Sequence, residues 1–282
     1  MTLLAGKVLL LTGGSRGLGP VIAEAVARRG AAVALTARDE DRLHEVAGRL
    51  ERLGARVLVV PVDLTEAAQR ERLIDTVQRE LGAIDVLVNN AGLETEGAYA
   101  DLPWESIREN IEVNLAAPMA LTHLILPEML RRRCGHIVNI ASVAAKSGAP
   151  YASVYSATKA GLAEWTRALR LELADSGVRF STVFPCYVRE VGMFARFGVD
   201  APPMVGSCSP QRVAEAVADA IEKDRSETIV NDHPVRFSFV LNEVSPALGD
   251  WLTRFSGLAE FQRRKVEGGP IVPADRSDAP EK

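Results

Sequence analysis

The sequence predicts an α/β protein of the doubly wound, Rossmann-like kind: a seven-stranded parallel sheet with helices on both faces. Short β-rich runs alternate with longer helical patterns from the first residues, the sequence form of repeated βαβ units. Several runs (VLLL, VLVV, VLV, IVNI) are almost continuously apolar, as strands covered on both faces must be. The first run also ends in a glycine-rich stretch that opens an Ala-rich helical pattern.

Along the chain, strands are expected at Lys7–Thr12, Ala32–Thr36, Arg56–Pro61, Val86–Asn89, His136–Ile140, Arg179–Phe184 and Glu227–Val230. Helices fill the gaps at Leu18–Arg29, Glu40–Leu53, Glu66–Leu81, Val154–Ser176 and Pro210–Lys223. A long one over Pro103–Arg133 is expected to kink or break at Pro118 and Pro127. Residues 1–266 read as one domain. Pro185–Ser209, with its Pro202-Pro203 pair, is too long for an ordinary connection and reads as a mobile lid or substrate loop. Asn231–Val266 reads as an extension carrying a terminal helix, and 267–282 as a disordered tail.

Composition narrows the function. Of 282 residues, 47% are hydrophobic and 25% charged, which excludes wholesale disorder. The net charge of −4 gives no basic surplus for nucleic acid or an anionic membrane. No apolar run reaches the roughly 18 to 20 residues of a membrane span, and the N-terminus reads as mature protein without a signal peptide. Cys134, Cys186 and Cys208 form no Cys-x-x-Cys, which fits a reducing cytoplasm. The histidines at 44, 123, 136 and 233 offer no His-x-x-x-His pair, so no metal is expected, and His136 reads as structural.

The first strand runs into Thr12-Gly13-Gly14-Ser15-Arg16-Gly17-Leu18-Gly19. Glycine at 13 permits a tight turn, at 17 a close approach of backbone to a pyrophosphate, and at 19 close packing of helix on strand. The helix N-terminus adds free N–H groups and a positive dipole end. With glycine near 7%, this pattern arises by chance on the order of once in a hundred chains. Further on, Tyr155-Ser156-Ala157-Thr158-Lys159 sets a phenol and an ammonium on one helix face. Ser142 falls just past the apolar strand ending at Ile140, at the carboxyl edge where parallel sheets bind ligands.

This G-x-x-x-G-x-G spacing, with Asn89-Asn90-Ala91-Gly92, Ser142 and the Tyr155/Lys159 pair, resembles the short-chain dehydrogenase/reductase family over roughly Lys7 to Val230. The resemblance implies a catalytic set of Asn114, Ser142, Tyr155 and Lys159. It also implies cofactor contacts at Gly13, Ser15, Arg16, Gly17, Leu18, Gly19, Arg38, Asp63, Leu64, Asn90, Ala91, Gly92, Tyr155, Lys159, Pro185 and Val188. Tyr155 is expected to act as general acid in ketone reduction and general base in the reverse, its pKa lowered by the adjacent ammonium. Ser142 would polarise the carbonyl, and Lys159 would also hold the nicotinamide ribose. Asn114 would anchor a proton-relaying water. Asp63 is read either as the adenine contact or as a helix cap before Thr65.

At the end of the second strand, Ala37 and Arg38 stand where an acidic side chain would select an unphosphorylated ribose, and Arg16 could reach the same group. NADP(H) is therefore favoured over NAD(H), with Asp39 read as the cap of the next helix. The expected substrate is a small carbonyl or alcohol compound, lodged among Ala144–Pro150 and Tyr187–Arg196, with Phe197 on the following loop. Family members pair through the helices flanking the site, so a homodimer or homotetramer is expected. Val154–Ser176 carries Leu162, Trp165, Leu169 and Leu173, which could equally be core. Two departures stand out: Cys186 follows Pro185 where the family has glycine, and Glu190 stands near its usual threonine. They leave open a cofactor-binding sensor or scaffold without turnover. A sugar-nucleotide epimerase is disfavoured by the glycine spacing and the small C-terminal region.

Overall fold

In the computed structural model the described residues are 3–195, 201–202, 204–267 and 269–272. The first half runs β1 (Val8–Thr12), α1 (Leu18–Ala27), β2 (Ala32–Thr36), α2 (Glu40–Glu51), β3 (Val57–Val59), α3 (Ala67–Leu81) and β4 (Val86–Asn89). There follow α4 (Trp104–Ile111), a π-helical turn (Glu112–Ala116), α5 (Ala117–Arg132), β5 (Gly135–Ile140), α6 (Ser153–Glu172) and β6 (Val178–Pro185). The chain continues through β7 (Tyr187–Val188), α7 (Gly192–Ala195), β8 (Ser207–Cys208), α8 (Pro210–Lys223) and β9 (Glu227–Val230). It closes with α9 (Arg236–Val244), α10 (Pro246–Phe255) and α11 (Leu258–Lys265).

Seven strands form one parallel sheet in the order β3-β2-β1-β4-β5-β6-β9. The order reverses between β1 and β4, and a crevice opens outside their carboxyl ends. The expected apolar runs alternate between two cores. Leu9, Leu11, Val33, Leu35, Val86 and Val88 pack under α1, α2 and α8, while Leu10, Ala34, Leu87, Ile137 and Phe180 pack under α3 and α5. Asp39 caps α2, accepting from the Arg42 amide, and Ser209 caps α8 ahead of Pro210. Leu162 is buried, and Leu169 and Leu173 pack against the core as well.

Several expectations are corrected. The Pro103–Arg133 helix does not break at either proline. A π turn sits just before Pro118, the Ala117 amide reaching back to the Glu112 carbonyl, and the proline ring falls in the first turn of α5. Trp104–Arg132 is thereby one helical run, long and apolar enough by length and composition to cross a membrane, contrary to the sequence reading. Its Leu121, Ile125 and Met129 are instead buried in the core under the sheet. The Pro185–Ser209 segment is no plain loop, because β7 and β8 pair in parallel and hold its ends. The extension folds into three short helices rather than one. Ile271, placed in the tail by sequence, pairs its backbone with Glu96 at 2.7 and 2.8 Å. Arg196, Phe197 and the tail beyond residue 272 lie outside the described residues.

His136 shows how the sheet manages a polar group. It is buried, and its Nε2 lies 2.8 Å from the Ser181 hydroxyl. That hydroxyl spends its proton on the Arg225 carbonyl at 2.7 Å, so His136 must donate from Nε2. Burial, reinforced by Arg179, drives its pKa down to about 3. Between about pH 3 and 6.5 the unfolded chain therefore binds a proton that the fold refuses, and stability is lost as pH falls through that window. We expect urea unfolding of the wild type to lose on the order of 2 kcal/mol more than His136→Gln between pH 7 and pH 4.5. Equal losses would remove the histidine from the acid response.

Candidate active site

The crevice is fastened first by Thr12, the last residue of β1. Its hydroxyl accepts the amides of Asn90 and Ala91, each at 3.0 Å, while the Asn90 side chain donates to the carbonyls of Thr12 at 2.9 Å and Gly13 at 3.1 Å. These bonds tie the glycine loop to the end of β4. Beside them, Asn89 donates to Asn139 at 2.8 Å and Asn139 to the Thr166 hydroxyl at 2.7 Å, so β4, β5 and α6 are cross-linked through buried amides. Sequence reading named neither Thr12 nor Asn139 for this work. The tell-tale was present, since a polar residue at the end of an apolar strand needs a partner.

Within the loop, Gly13 has φ +67°, and Gly19 lies so close to it that an added Cβ would fall 2.0 Å from the Gly13 carbonyl oxygen. The N-terminus of α1 carries no capping side chain and no acidic residue in its first turn. Ser15 is half-buried there, Arg16 is exposed, and Leu18 packs against the core. An open helix end beside the glycines at 13, 14, 17 and 19 suits a pyrophosphate, so these residues fit a dinucleotide. Arg38, at the end of β2, is exposed and lies 3.8 Å from Glu109. Asp63 turns inward on Thr65, accepting from its amide at 2.9 Å and its hydroxyl at 2.8 Å. The N-cap of α3 is Glu66, so the helix-cap reading of Asp63 becomes a turn just ahead of the helix. Leu64 and Val188 are buried, and Pro185 ends β6 paired with Val230.

Asn114, Ser142, Tyr155 and Lys159 converge at this edge. Asn114 lies in the π turn, fully buried, accepting from the Leu93 amide at 2.7 Å and donating to the Leu93 carbonyl at 2.9 Å. Lys159 is 4% exposed, and its Nζ donates to the Ile140 carbonyl at 2.9 Å and lies 5.7 Å from the centre of the Tyr155 ring. A Cβ on Gly92 would come within 3.3 Å of Asn114 Oδ1 and 3.5 Å of Lys159 Nζ, so only glycine leaves that space clear. Thr158 and Asn110, neither singled out by sequence, complete the net, with Thr158 donating to Asn110 at 3.2 Å.

The electrostatics depart from the expectation. Burial raises the Tyr155 pKa, Glu94 and Glu96 raise it further, and the hydrogen bond to Ser142 is the opposing influence. Burial also lowers Lys159 to about 8. The same desolvation therefore pushes both groups towards their neutral forms. Tyr151, four residues before Tyr155, sits with φ +62° and its carbonyl accepts from the Gly97 amide at 2.7 Å. Beyond β6, Cys186 is buried and needs no left-handed backbone, whereas Glu190 does, with φ +70°. The turn brings Gly192 against Gly17, whose added Cβ would lie 3.4 Å from the Gly192 Cα.

Comparison with known proteins agrees with this architecture. The profile described as short chain dehydrogenase matches residues 7–200. The chain belongs to the short-chain dehydrogenase family. It is 40% identical to a ketoacyl reductase HetN of Nostoc sp., over 95% of each chain. It is 31% identical to a dehydrogenase/reductase SDR family protein 7-like of Anopheles gambiae, over 89% of this chain and 83% of the relative. A crystal structure of a metagenomic short-chain oxidoreductase in complex with NADP superposes with a TM-score of 0.71 at 31% identity, covering 83% of this chain and all of that one. Family membership makes this short-chain dehydrogenase an NAD(P)-dependent oxidoreductase acting on small molecules.

Gly19→Ala forces a methyl group onto the Gly13 carbonyl, so the loop must shift. The variant is expected to lose at least about tenfold in dinucleotide affinity, read as the loss of the NADPH-induced rise in melting temperature. An undiminished rise would show that the loop is not the cofactor cradle.

Proposed function

We propose that this short-chain dehydrogenase interconverts a ketone and a secondary alcohol with NADP(H), and that Asn114, Ser142, Tyr155 and Lys159 carry the proton chemistry. The observation behind this reading is a buried phenol, hydrogen-bonded to Ser142 and beside the Lys159 ammonium, at the crevice that the glycine loop also borders. When bound, the nicotinamide cofactor supplies or accepts the hydride. Tyr155 gives its phenolic proton to the carbonyl oxygen as that oxygen becomes an alkoxide, and takes it back in the reverse direction. Ser142 donates to the same oxygen and stabilises the developing charge. Lys159, held by the Ile140 carbonyl, offsets the phenolate left behind, and Asn114 fixes the Leu93 end of the neighbouring loop. The glycine loop, Arg16, Arg38, Asn90–Gly92, Asp63, Leu64, Pro185 and Val188 would hold the dinucleotide.

Two exposed guanidiniums, Arg16 and Arg38, and alanine rather than an acid at residue 37 support the phosphorylated cofactor, although Arg38 also lies near Glu109. The name of the Nostoc relative also favours a ketone among possible substrates. Free cysteines at 134, 186 and 208 suit the reducing cytoplasm. Exposed Trp104, Ile111 and Leu171, on α4 and α6, suit a homodimer or homotetramer, which light scattering would measure.

A panel of ketones with NADPH, followed at the cofactor absorbance, tests the reading. Tyr155→Phe is expected to lower turnover by at least about a hundredfold while still binding NADPH, whereas full retained turnover would remove Tyr155 as the proton donor. No turnover of any ketone by wild type that binds NADPH would favour the sensor alternative. Arg38→Ala is expected to weaken NADPH by roughly 10- to 100-fold, the worth of a charge-assisted contact, and to leave NADH unchanged. Equal loss for both would detach Arg38 from the 2′-phosphate.

A further inference from the structure

The short chain dehydrogenase match ends at residue 200, ahead of α11, and gives that helix no task. Yet α11 carries one of the best-buried cations among the described residues. The Lys265 side chain is 3% exposed and pairs with Glu96 at 2.6 Å and Glu94 at 3.5 Å, whose side chains are 4% and 15% exposed. Gln262, one turn earlier on α11, donates to Glu96 at 3.4 Å, and the Glu96 backbone pairs with Ile271. Desolvating three ionic groups is costly, and exposed ion pairs elsewhere in this chain do without it. A burial of this kind asks for a reason.

The location supplies one. Glu94 and Glu96 lie on the loop that leaves β4 past Gly92 and Leu93, the residues that border Lys159 and Asn114. Gly97, at the loop's far end, bonds to Tyr151 just before α6. On the other side, Phe261 of α11 packs against Tyr187 with ring centres 5.6 Å apart and against Phe194 at 6.2 Å, the segment expected to wall the substrate pocket. The charged groups that act on Tyr155 are therefore Lys159 on its own helix and Glu94 and Glu96 from this loop, with polar Ser142 from the β5 edge and Tyr187 from β7 beside them. Both carboxylates oppose ionisation of the phenol. Lys265 is their counter-ion.

We infer that Lys265 is a positioning residue for proton transfer at Tyr155: by pairing with Glu94 and Glu96 it cancels negative charge beside the phenol, and it fastens α11 against the substrate end of the site. The inference rests on Tyr155 being the proton donor. It deepens that reading by giving the C-terminal helix a part in the reaction. Glu94 itself, held mainly by burial and then by Glu96, titrates near 7 even with Lys265 present, so loss of the cation changes the charge facing Tyr155 within the working pH range.

The sign is fixed by electrostatics. For alcohol oxidation Tyr155 must lose its proton, so added negative charge moves the acid limb of the kcat profile to higher pH. Lys265→Met is expected to move it up by about one pH unit, a roughly tenfold loss of oxidation at a fixed pH on that limb. The alcohol used is the one formed from the ketone turned over best by the wild type. Lys265→Met combined with Glu96→Gln restores the local charge and is expected to return the limb to its wild-type place, although the ion pair is gone. Lys265→Arg should leave it unmoved. A purely structural role for Lys265 predicts no rescue in the double variant, and that result overturns the inference. If Lys265→Met does not fold, Glu94→Gln is expected to move the limb the other way, and an unmoved limb is equally fatal. Carboxyl-carbon NMR of labelled glutamate gives a readout free of turnover: the Glu94 resonance, assigned with Glu94→Gln, should titrate higher in Lys265→Met. Failure of Tyr155→Phe to impair turnover would sink the parent reading instead, and leaves that NMR shift intact.

Discussion

An ammonium held out of water is the constraint around which the site is arranged. Lys159 reaches up from α6 into a space where its Nζ meets the Ile140 carbonyl, and desolvation there favours loss of its charge. The Tyr155 phenol shares that environment, and for an acid the same effect works in the opposite sense. Burial alone thus drives the two groups apart, raising the phenol and lowering the ammonium to about 8. Ionisation of the phenol must therefore be helped by hydrogen bonds and by nearby charge. Ser142 gives the first, and the balance among Lys159, Glu94, Glu96 and Lys265 sets the second. A site of this kind is tuned by its surroundings more than by the spacing of tyrosine and lysine along a helix.

Asn114 owes its position to an irregularity. In a regular helix from Trp104 to Arg132, Pro118 would point its ring at the carbonyl four residues back, which belongs to Asn114 itself. Five residues in π geometry shift the phase and relieve that clash. They also leave the Asn114 side chain bonded to Leu93 on one side and to the equally buried Asn110 on the other. The proline and the buried amide therefore have one structural explanation, and the π turn falls where a polar side chain enters the crevice.

What the sequence revealed and what it hid divide along the range of the interactions. Strands such as Ala32–Thr36 and Val86–Asn89 were legible to the residue, because burial on both faces leaves a local record in continuous apolar runs. The glycine loop was legible because close backbone approach excludes side chains. The π turn was not, since a proline inside a helical pattern reads as a break whenever the register before it is unknown. Nor could Lys265 be connected with Glu94, 171 residues away, because each alone looks like an ordinary surface charge. The amide chain Asn89–Asn139–Thr166 was hidden for the same reason: its members lie in three elements, and only the sheet order brings them together.

The departures at the end of β6 are milder than their sequence suggests. Glycine would matter at residue 186 only if the backbone there were left-handed, and Cys186 is not among the residues with positive φ. Its thiol lies buried in the core beside Val188, so a small apolar side chain serves the position. The left-handed turn comes four residues later, at Glu190, at a cost of about 1–2 kcal/mol for a residue that is not glycine. That turn leads into Gly192, which lies against Gly17 across the crevice. Glu190 itself is exposed, and a carboxylate in water repels a phosphate far less than one in a dry site. The strained turn thus closes the segment over the glycine loop while its charge stays in solvent, so neither substitution removes the geometry that a dinucleotide needs.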